Sequence, residues 1–208
     1  MILYAATTNP GKLSEFTASA STFGVQVLAL PGLAGMPGPV EDAPTYIGNA
    51  EKKAAAYSLL APGLLVFADD SGLEVDALNG EPGVYSARFA DLAGYDLHSG
   101  RKTDDRNNDL LLDRLRSTSA WADRSARFVC SLALARDGEI LLRSNGTVHG
   151  EIRYTARGTD GFGYDPLFFL PSLQSTMAEL SREQKWLLSH RGRAFRALLP
   201  QLHTLPTT

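Results

Sequence analysis

Much of the information in these 208 residues lies in what they lack. Cys130 is the only cysteine. A single thiol makes neither an internal disulfide nor a multi-cysteine zinc centre, which points to a reducing compartment, the cytoplasm. It lies in the apolar stretch Phe128-Val129-Cys130-Ser131-Leu132, the setting of a buried inert thiol rather than of a nucleophile. No apolar run is long enough to span a bilayer: the longest, around Tyr57 to Ala68, is cut by Pro62-Gly63. Met1 to Ala6 is apolar but short, without a basic leader, and reads as a first strand rather than a signal peptide. A basic excess is missing too. Twenty Lys and Arg stand against 23 Asp and Glu, a net charge of −3, which disfavours a nucleic-acid-binding role. The four histidines, His98, His149, His190 and His203, show neither HExxH spacing nor a cysteine partner, so zinc is not expected. There is no P-loop spacing, no GxGxxG fingerprint and no internal repeat.

What is present is a globular composition, 44% apolar and 21% charged, with enough apolar residues to build a core. The length suits one domain, residues 1–208, with two lobes and no clean linker. Strand and helix signals alternate. After the Met1 to Ala6 strand comes Thr7-Thr8-Asn9-Pro10-Gly11-Lys12. Asn9 suits an N-cap and Pro10 the first helical position, with Leu13, Phe16, Ala20 and Phe23 at helical spacing. Val25 to Leu30 predicts a strand, Pro31 to Ala43 a loop, and Tyr46 to Leu60 a helix. Leu64 to Ala68 reads as a buried strand ending at Asp69-Asp70-Ser71-Gly72, followed by a half-exposed strand through Leu73, Val75 and Ala77. Thr103 to Arg116 opens with Asp104 and Asp105 as an acid-started helix. Arg127 to Ala135 and Glu139 to Arg143 flank Asp137-Gly138, a hairpin signal. Capping boxes pair Thr176 with Glu179 and Ser181 with Gln184, so a helix is expected from Arg182. The expected class is α/β with a mixed sheet.

Four segments carry candidate chemistry. A strand feeding a helix through Thr7 to Lys12 leaves backbone N–H groups and a positive dipole end facing one point, with Lys12 adding a full charge, a phosphate-binding arrangement. Asp69 and Asp70 would face opposite sides of a regular strand. Asp70 is therefore expected to act directly and Asp69 to orient from behind it. Mg2+ takes one or two carboxylates plus water and phosphate, and Glu41 is the candidate second ligand. In Gly158 to Gly163 the glycines fall in the order GxxGxG, and Phe162 between two of them can stack on a base. In Lys185 to Gly192, helical spacing buries Trp186 or Leu187 and leaves Lys185 and His190 available.

Five stretches in order, TTNPGK (7–12), FADDSGL (67–73), PGVYSAR (82–88), GTDGFGYDP (158–166) and AELSREQKWLLSHRG (178–192), together resemble the Ham1/inosine-triphosphatase family. The resemblance implies an elongated mixed twisted sheet flanked by helices, with two lobes and a central cleft. It implies a Mg2+-dependent homodimer that acts on the small-molecule nucleotide pool, with neither nucleic acid nor membrane as partner. The reaction so implied converts ITP, dITP and XTP to the monophosphate and pyrophosphate. Carried over by position, Asn9, Lys12 and Lys53 would hold the triphosphate beside Thr7 and Thr8, and Ser71 and Gly72 would line its path. Glu41 and Asp70 would hold the metal, Asp70 also activating water, and Lys12 would assist catalysis. Phe162, with Gly163 and Tyr164, would take the base, and Asp165, Lys185, His190 and Arg191 would surround its edge. Relative to the family pattern, Gly48 stands where an acidic residue is common, Asp160 replaces a usual glycine, and Asp91 to Arg106 is longer. Two alternatives are a Maf-like pyrophosphatase for pyrimidine or modified nucleotides and a nucleotide sensor without turnover.

Overall fold

A computed structural model describes residues 1–20, 23–116 and 124–205. In chain order the elements are β1 (Ile2–Ala5), α1 (Pro10–Ala20), β2 (Gln26–Ala29), α2 (Tyr46–Leu59), β3 (Val66–Val75), α3 (Phe89–Leu92) and α4 (Thr103–Arg114). There follow β4 (Ser125–Arg136), β5 (Glu139–Ile152), β6 (Phe168–Leu170), β7 (Ser175–Thr176), α5 (Arg182–Leu188) and α6 (His190–Leu198). Among the described residues, seven strands form one sheet in the order β2-β1-β3-β4-β5-β6-β7. It is mixed: β1 runs parallel to β2 and β3, while β6 is antiparallel to β5 and β7. No helix of the described residues is long and apolar enough to cross a membrane.

The chain divides into two compact units. The first comprises Met1–Ser71, Cys130–Thr147 and the C-terminal residues from Trp186. Its core is aromatic: the Phe16 and Phe67 rings meet edge to face at 5.1 Å, and Phe195 lies 5.3 and 5.5 Å from them. Around them Leu3, Leu132, Leu134 and Leu198 are fully buried. Burying three phenyl rings this closely is worth several kcal/mol, since truncating one buried Phe costs about 3–5 kcal/mol. Cys130 is buried in the same core, and burial pushes its thiol far above the ordinary range, as an inert thiol requires.

The second unit comprises the described residues of Gly72–Val129 and Val148–Lys185. Phe128 packs on Phe168 at 4.3 Å, and Phe89, Ala90 and Leu110 form a smaller cluster where α3 meets α4. The buried Arg124 is satisfied by carbonyls, donating to Ile152 at 2.8 Å, Leu115 at 3.2 Å and Arg153 at 3.1 Å.

Local signals place most elements. Asp137 and Gly138 both adopt positive φ, 52° and 86°, the requirement of a type I′ turn, and the strands on either side extend to Ser125 and Ile152. Both capping boxes form: Glu179 Oε2 accepts from Thr176 N–H at 2.7 Å and Gln184 Oε1 from Ser181 N–H at 3.1 Å. Three expectations are corrected. Phe23 does not continue the buried stripe of α1, which ends at Ala20; it is 50% exposed. The acidic pair does not terminate a strand: β3 runs unbroken from Val66 to Val75 through Asp69-Asp70-Ser71-Gly72. Beyond it Ala77 lies in a short 3-10 turn, Asp76–Leu78, and not in a second strand.

Candidate active site

In the first unit the chemistry is gathered by β3. Because β3 continues through the aspartates, successive side chains turn to opposite faces, and each carboxylate meets its own cations. Asp69 is almost fully buried. Its Oδ2 accepts from Lys12 Nζ at 2.8 Å and from the Ser71 hydroxyl at 2.7 Å, with Arg191 Nε at 3.6 Å. Burial pushes the Asp69 carboxyl up, but Lys12 above all, then Arg191 and Lys53, overcome it and hold the group well below the usual carboxylate range.

Asp70 goes the other way. Its Oδ2 accepts from Asn49 Nδ2 at 3.1 Å, and its Oδ1 lies 3.4 Å from Lys53 Nζ, which donates to Glu41 Oε2 at 2.7 Å. Burial raises the Asp70 carboxyl, and the nearby charges of Glu41 and Asp69 add to the rise, outweighing Lys53 and Asn49. Burial alone would lower the Lys53 ammonium, but Asp70, Asp69 and Glu41 together raise it. Glu41 and Asp70 thus converge on one cation, the Lys53 ammonium. Two hard oxygen donors brought to one positive charge suit Mg2+, which binds through one or two carboxylates with water and phosphate completing its shell. Among the described residues no group of three His, Cys, Asp or Glu side chains forms a metal cluster.

The strand-to-helix turn is more self-contained than its sequence suggests. Asn9 Oδ1 accepts from Gly11 N–H at 2.9 Å and Lys12 N–H at 3.2 Å, and Pro10 has no N–H to give. The expected cradle of open N–H groups is therefore already capped by Asn9. Thr7 in turn accepts from Asn9 N–H at 3.2 Å, and Thr8 is exposed. What this turn offers an anion is Lys12, the exposed Thr8 and the dipole.

α6 begins where Ser189 Oγ accepts from Gly192 N–H at 3.1 Å, an N-cap. Gly192 is required there, because a Cβ would lie 1.9 Å from the Trp186 carbonyl oxygen. This packing buries His190 to 2% exposure and Arg191 to 7%, with Glu15 Oε2 3.7 Å from the guanidinium.

In the second unit the loop over 158–163 is built from left-handed glycines: Gly158, Gly161 and Gly163 have φ of 80°, 86° and 61°. Phe162 is half-buried, and its N–H donates to Asp165 Oδ2 at 2.9 Å. The same oxygen accepts from Lys185 Nζ at 2.6 Å, and that ammonium also lies 4.9 Å from the centroid of the Phe162 ring. Lys185 is thus not left available on the surface as expected, and neither is His190; Lys185 is 7% exposed, a depth a lysine tolerates when paired. Tyr164 is buried, and its hydroxyl donates to the Ser86 carbonyl at 2.9 Å. Gly158 lies so close to the Ala178 carbonyl that a Cβ would meet it at 2.4 Å, so the 177–179 turn backs the loop. Gly72 is buried in the second unit's part of β3.

With this geometry in view the chain's relatives become informative. The Ham1 family model matches residues 3–201. The chain belongs to the Ham1 family. A protein of Acidobacterium capsulatum named dITP/XTP pyrophosphatase is 50% identical over 97% of this chain and 98% of its own length. One of the same name from Exiguobacterium sibiricum is 47% identical over 98% of each. Among solved structures, the Ham1 protein of Staphylococcus aureus matches with a TM-score of 0.79 at 39% identity, over 98% of this chain and 99% of that one. A HAM1 protein of Coxiella burnetii gives a TM-score of 0.82 at 34% identity, over 99% and 100%.

Within this Ham1 chain the first unit brings Lys12, Ser71 and Arg191 to Asp69 and brings Glu41 and Lys53 to Asp70, and the second brings together Phe162, Gly163, Tyr164, Asp165 and Lys185. Sequence reasoning missed Asn49, which is 1% exposed and also accepts from Ala43 N–H at 2.9 Å. The signal was available: an Asn on the buried stripe of an alanine-rich helix, one turn before Lys53. It also missed Glu15 beside Arg191. At Gly48 a Cβ would meet Ala43 Cβ at 2.9 Å and Thr45 Oγ1 at 3.1 Å, so the first turn of α2 is packed for a residue without a side chain.

Proposed function

We propose that this protein is a nucleoside triphosphate pyrophosphohydrolase that converts ITP, dITP and XTP to the monophosphate and pyrophosphate. Magnesium dependence, a homodimer and a cytoplasmic location belong to the same reading. The names of the relatives support the reaction, and one observation of this chain carries it. Adjacent aspartates on β3 have opposite surroundings: Asp69 is kept ionised by Lys12 and Arg191, while Asp70, held by Asn49 near the Lys53–Glu41 pair, is raised by burial and by the charges of Glu41 and Asp69.

Phosphoryl displacement needs charge neutralisation and positioning more than covalent help. Lys12, held on Asp69, gives the triphosphate a fixed positive charge, and Lys53 a second. Asp70, with Oδ2 fixed by Asn49, accepts the proton of the attacking water; a carboxyl with a raised pKa is the better general base near neutrality. Mg2+, held by Glu41 and Asp70, would supply further neutralisation of the phosphate oxygens. The base is the ligand proposed for Phe162, where stacking is worth about 1–3 kcal/mol. His190 and Arg191 are the proposed donors to O6 of hypoxanthine or xanthine; adenine carries an amino donor at that position and cannot accept from them.

The test is direct. The protein is incubated with Mg2+ and ITP, XTP, ATP, GTP or UTP, and products are followed by phosphorus NMR. Pyrophosphate as first product from ITP and XTP, with ATP slow, is expected. Orthophosphate first, or no turnover of ITP, overturns the reading, and preference for UTP would move the protein to the pyrimidine-directed alternative.

A further inference from the structure

The loop that carries Phe162 is gripped by a helix that the motifs do not include. Gly163 N–H donates to Asp104 Oδ2 at 2.8 Å, and the Gly163 carbonyl accepts from Asn108 Nδ2 at 3.0 Å. Asp104 and Asn108 are four residues apart on α4, hence on one face. Both main-chain polar groups of one loop residue are therefore held by one turn of one helix. Gly163 has φ of 61° and open space where a Cβ would be, so neither its own side chain nor packing against one fixes its place. The two hydrogen bonds do.

The geometry points to Asp104 and Asn108 as positioning residues for the base: by clamping Gly163 they set where the neighbouring Phe162 ring stands. Three observations support this. Phe162 is fixed on its other side as well, by Asp165 on its own N–H, so the clamp removes the remaining freedom of the peptide that carries the ring. Asn108 Oδ1 is buried and has no hydrogen-bond partner among the described residues. Leaving a buried acceptor unsatisfied is a standing cost, and the amide that bears it is the one whose nitrogen holds Gly163. Finally, α4 is itself anchored: Asn107 donates to the carbonyls of Ser86 at 3.2 Å and Ala87 at 3.3 Å and accepts from Ala90 N–H at 2.8 Å. The Ser86 carbonyl is also the acceptor of the Tyr164 hydroxyl, so the next residue of the loop is tied to the same support.

This inference rests on Phe162 being the partner of the base, as proposed above, and the experiment separates the two. Wild type, Asp104→Ala, Asn108→Ala and the isosteric Asn108→Asp are compared with ITP, with ATP and with inorganic tripolyphosphate as a baseless inhibitor. For each variant that disrupts the clamp, KM for ITP is expected to rise on the order of tenfold, kcat to change less, and preference for ITP over ATP to fall. The inhibition constant of tripolyphosphate should stay within about twofold, because it has no base to position. Asp104→Asn, which keeps an acceptor oxygen, should recover most of the loss. Amide exchange at residues 158–165 is measured on the same variants and should rise there and not in the first unit. If wild type fails to turn over ITP but exchange rises locally, the clamp stands and the assigned reaction falls. Unchanged KM and selectivity, or equal losses toward ITP and tripolyphosphate, overturn the clamp. Should either alanine variant fail to fold, Asn108→Asp decides, since it keeps the shape and turns the donor into a repelled acceptor.

Discussion

The charged cluster of the first unit and the glycine loop of the second are held by different means. Around Asp69 and Asp70 all the groups but Glu41, which lies in the loop before α2, ride on regular structure: β3 supplies the carboxylates, α1 Lys12, α2 Asn49 and Lys53, and α6 Arg191. Backbone ladders fix those elements, so the charges arrive where the strand and helix periods put them, and buried opposite charges complete the fit. In the loop, no ladder fixes Phe162. Its N–H donates to Asp165, the Gly163 N–H donates to Asp104, and Asn108 donates to the Gly163 carbonyl; these hydrogen bonds do so. Substitutions in the first region should therefore change chemistry and stability together, and those in the second should change recognition with little effect on chemistry.

The largest expected effect is at Asp70. Asp70→Asn removes the proton acceptor while keeping the oxygen that meets Asn49, and general-base catalysis is worth about 10²–10⁴-fold. A loss of kcat near 10³-fold is expected with nucleotide affinity changed less than about fivefold, read by rapid-quench kinetics and equilibrium binding. Near-normal turnover in this variant would break the distinction drawn between the two aspartates.

Asp69→Asn should act on stability first. Removing the buried carboxylate leaves Lys12 and Arg191 without their shared counter-charge, a loss of about 3 kcal/mol at neutral pH, at the low end for broken buried pairs because Lys12 is partly exposed. The sign with pH is opposite at the two sites. Asp69 has a depressed folded pKa, so its stabilisation is present above the unfolded value of about 3.9 and is lost as pH falls below it toward the folded pKa. Asp70 has a raised folded pKa, so its cost is absent below about 3.9 and appears as pH rises from there through the folded value. Urea unfolding with EDTA at pH 3.5 to 7 checks this. The wild type's advantage over Asp69→Asn should shrink on acidification, and its position relative to Asp70→Asn should improve. Parallel slopes for the two variants would refute the opposed environments.

That the two aspartates lie on one unbroken strand was the part of the site least legible in the sequence. Consecutive acids read locally as a strand end, and only partners from distant segments, Lys12 on one face and Asn49 on the other, make them tolerable inside β3. The same holds for the buried Lys185, whose partner Asp165 lies twenty residues earlier, and for the grip of Asp104 on Gly163, across 59 residues. Features settled within a few residues were legible: the Asp137-Gly138 turn, both capping boxes and the Asn9 cap. That cap also shows the limit, because the residue that starts the helix uses the N–H groups the sequence seemed to leave open. The resemblance pointed correctly to the family because its five motifs hold most residues of both regions, while Glu41, Lys53 and the supports Asn49, Glu15, Asp104 and Asn108 lie outside all five.

A smaller effect should come from the ring itself. Phe162→Ala removes a stacking surface worth about 1–3 kcal/mol, so KM for ITP should rise about tenfold with kcat within threefold. Because the ring is half-buried and its backbone is held independently of it, thermal stability should change little. An unchanged KM would take Phe162 out of base recognition, and an equal fall in kcat would make the second region behave like the first.

The smallest effect should be at Gly163, and its size tests how the loop is held. A Cβ at Gly161 would come within 2.2 Å of Asp165 Oδ2, whereas at Gly163 it would meet nothing within 4 Å. Gly163→Ala therefore carries only the cost of a left-handed backbone in a residue with a side chain, about 1–2 kcal/mol, while both bonds to α4 can persist. Unfolding in urea should show a loss of that size, with KM for ITP changed less than about threefold. A much larger loss of affinity would mean that the loop leaves its left-handed turn rather than bear the strain, and so that the two hydrogen bonds from α4 are too weak to hold it there.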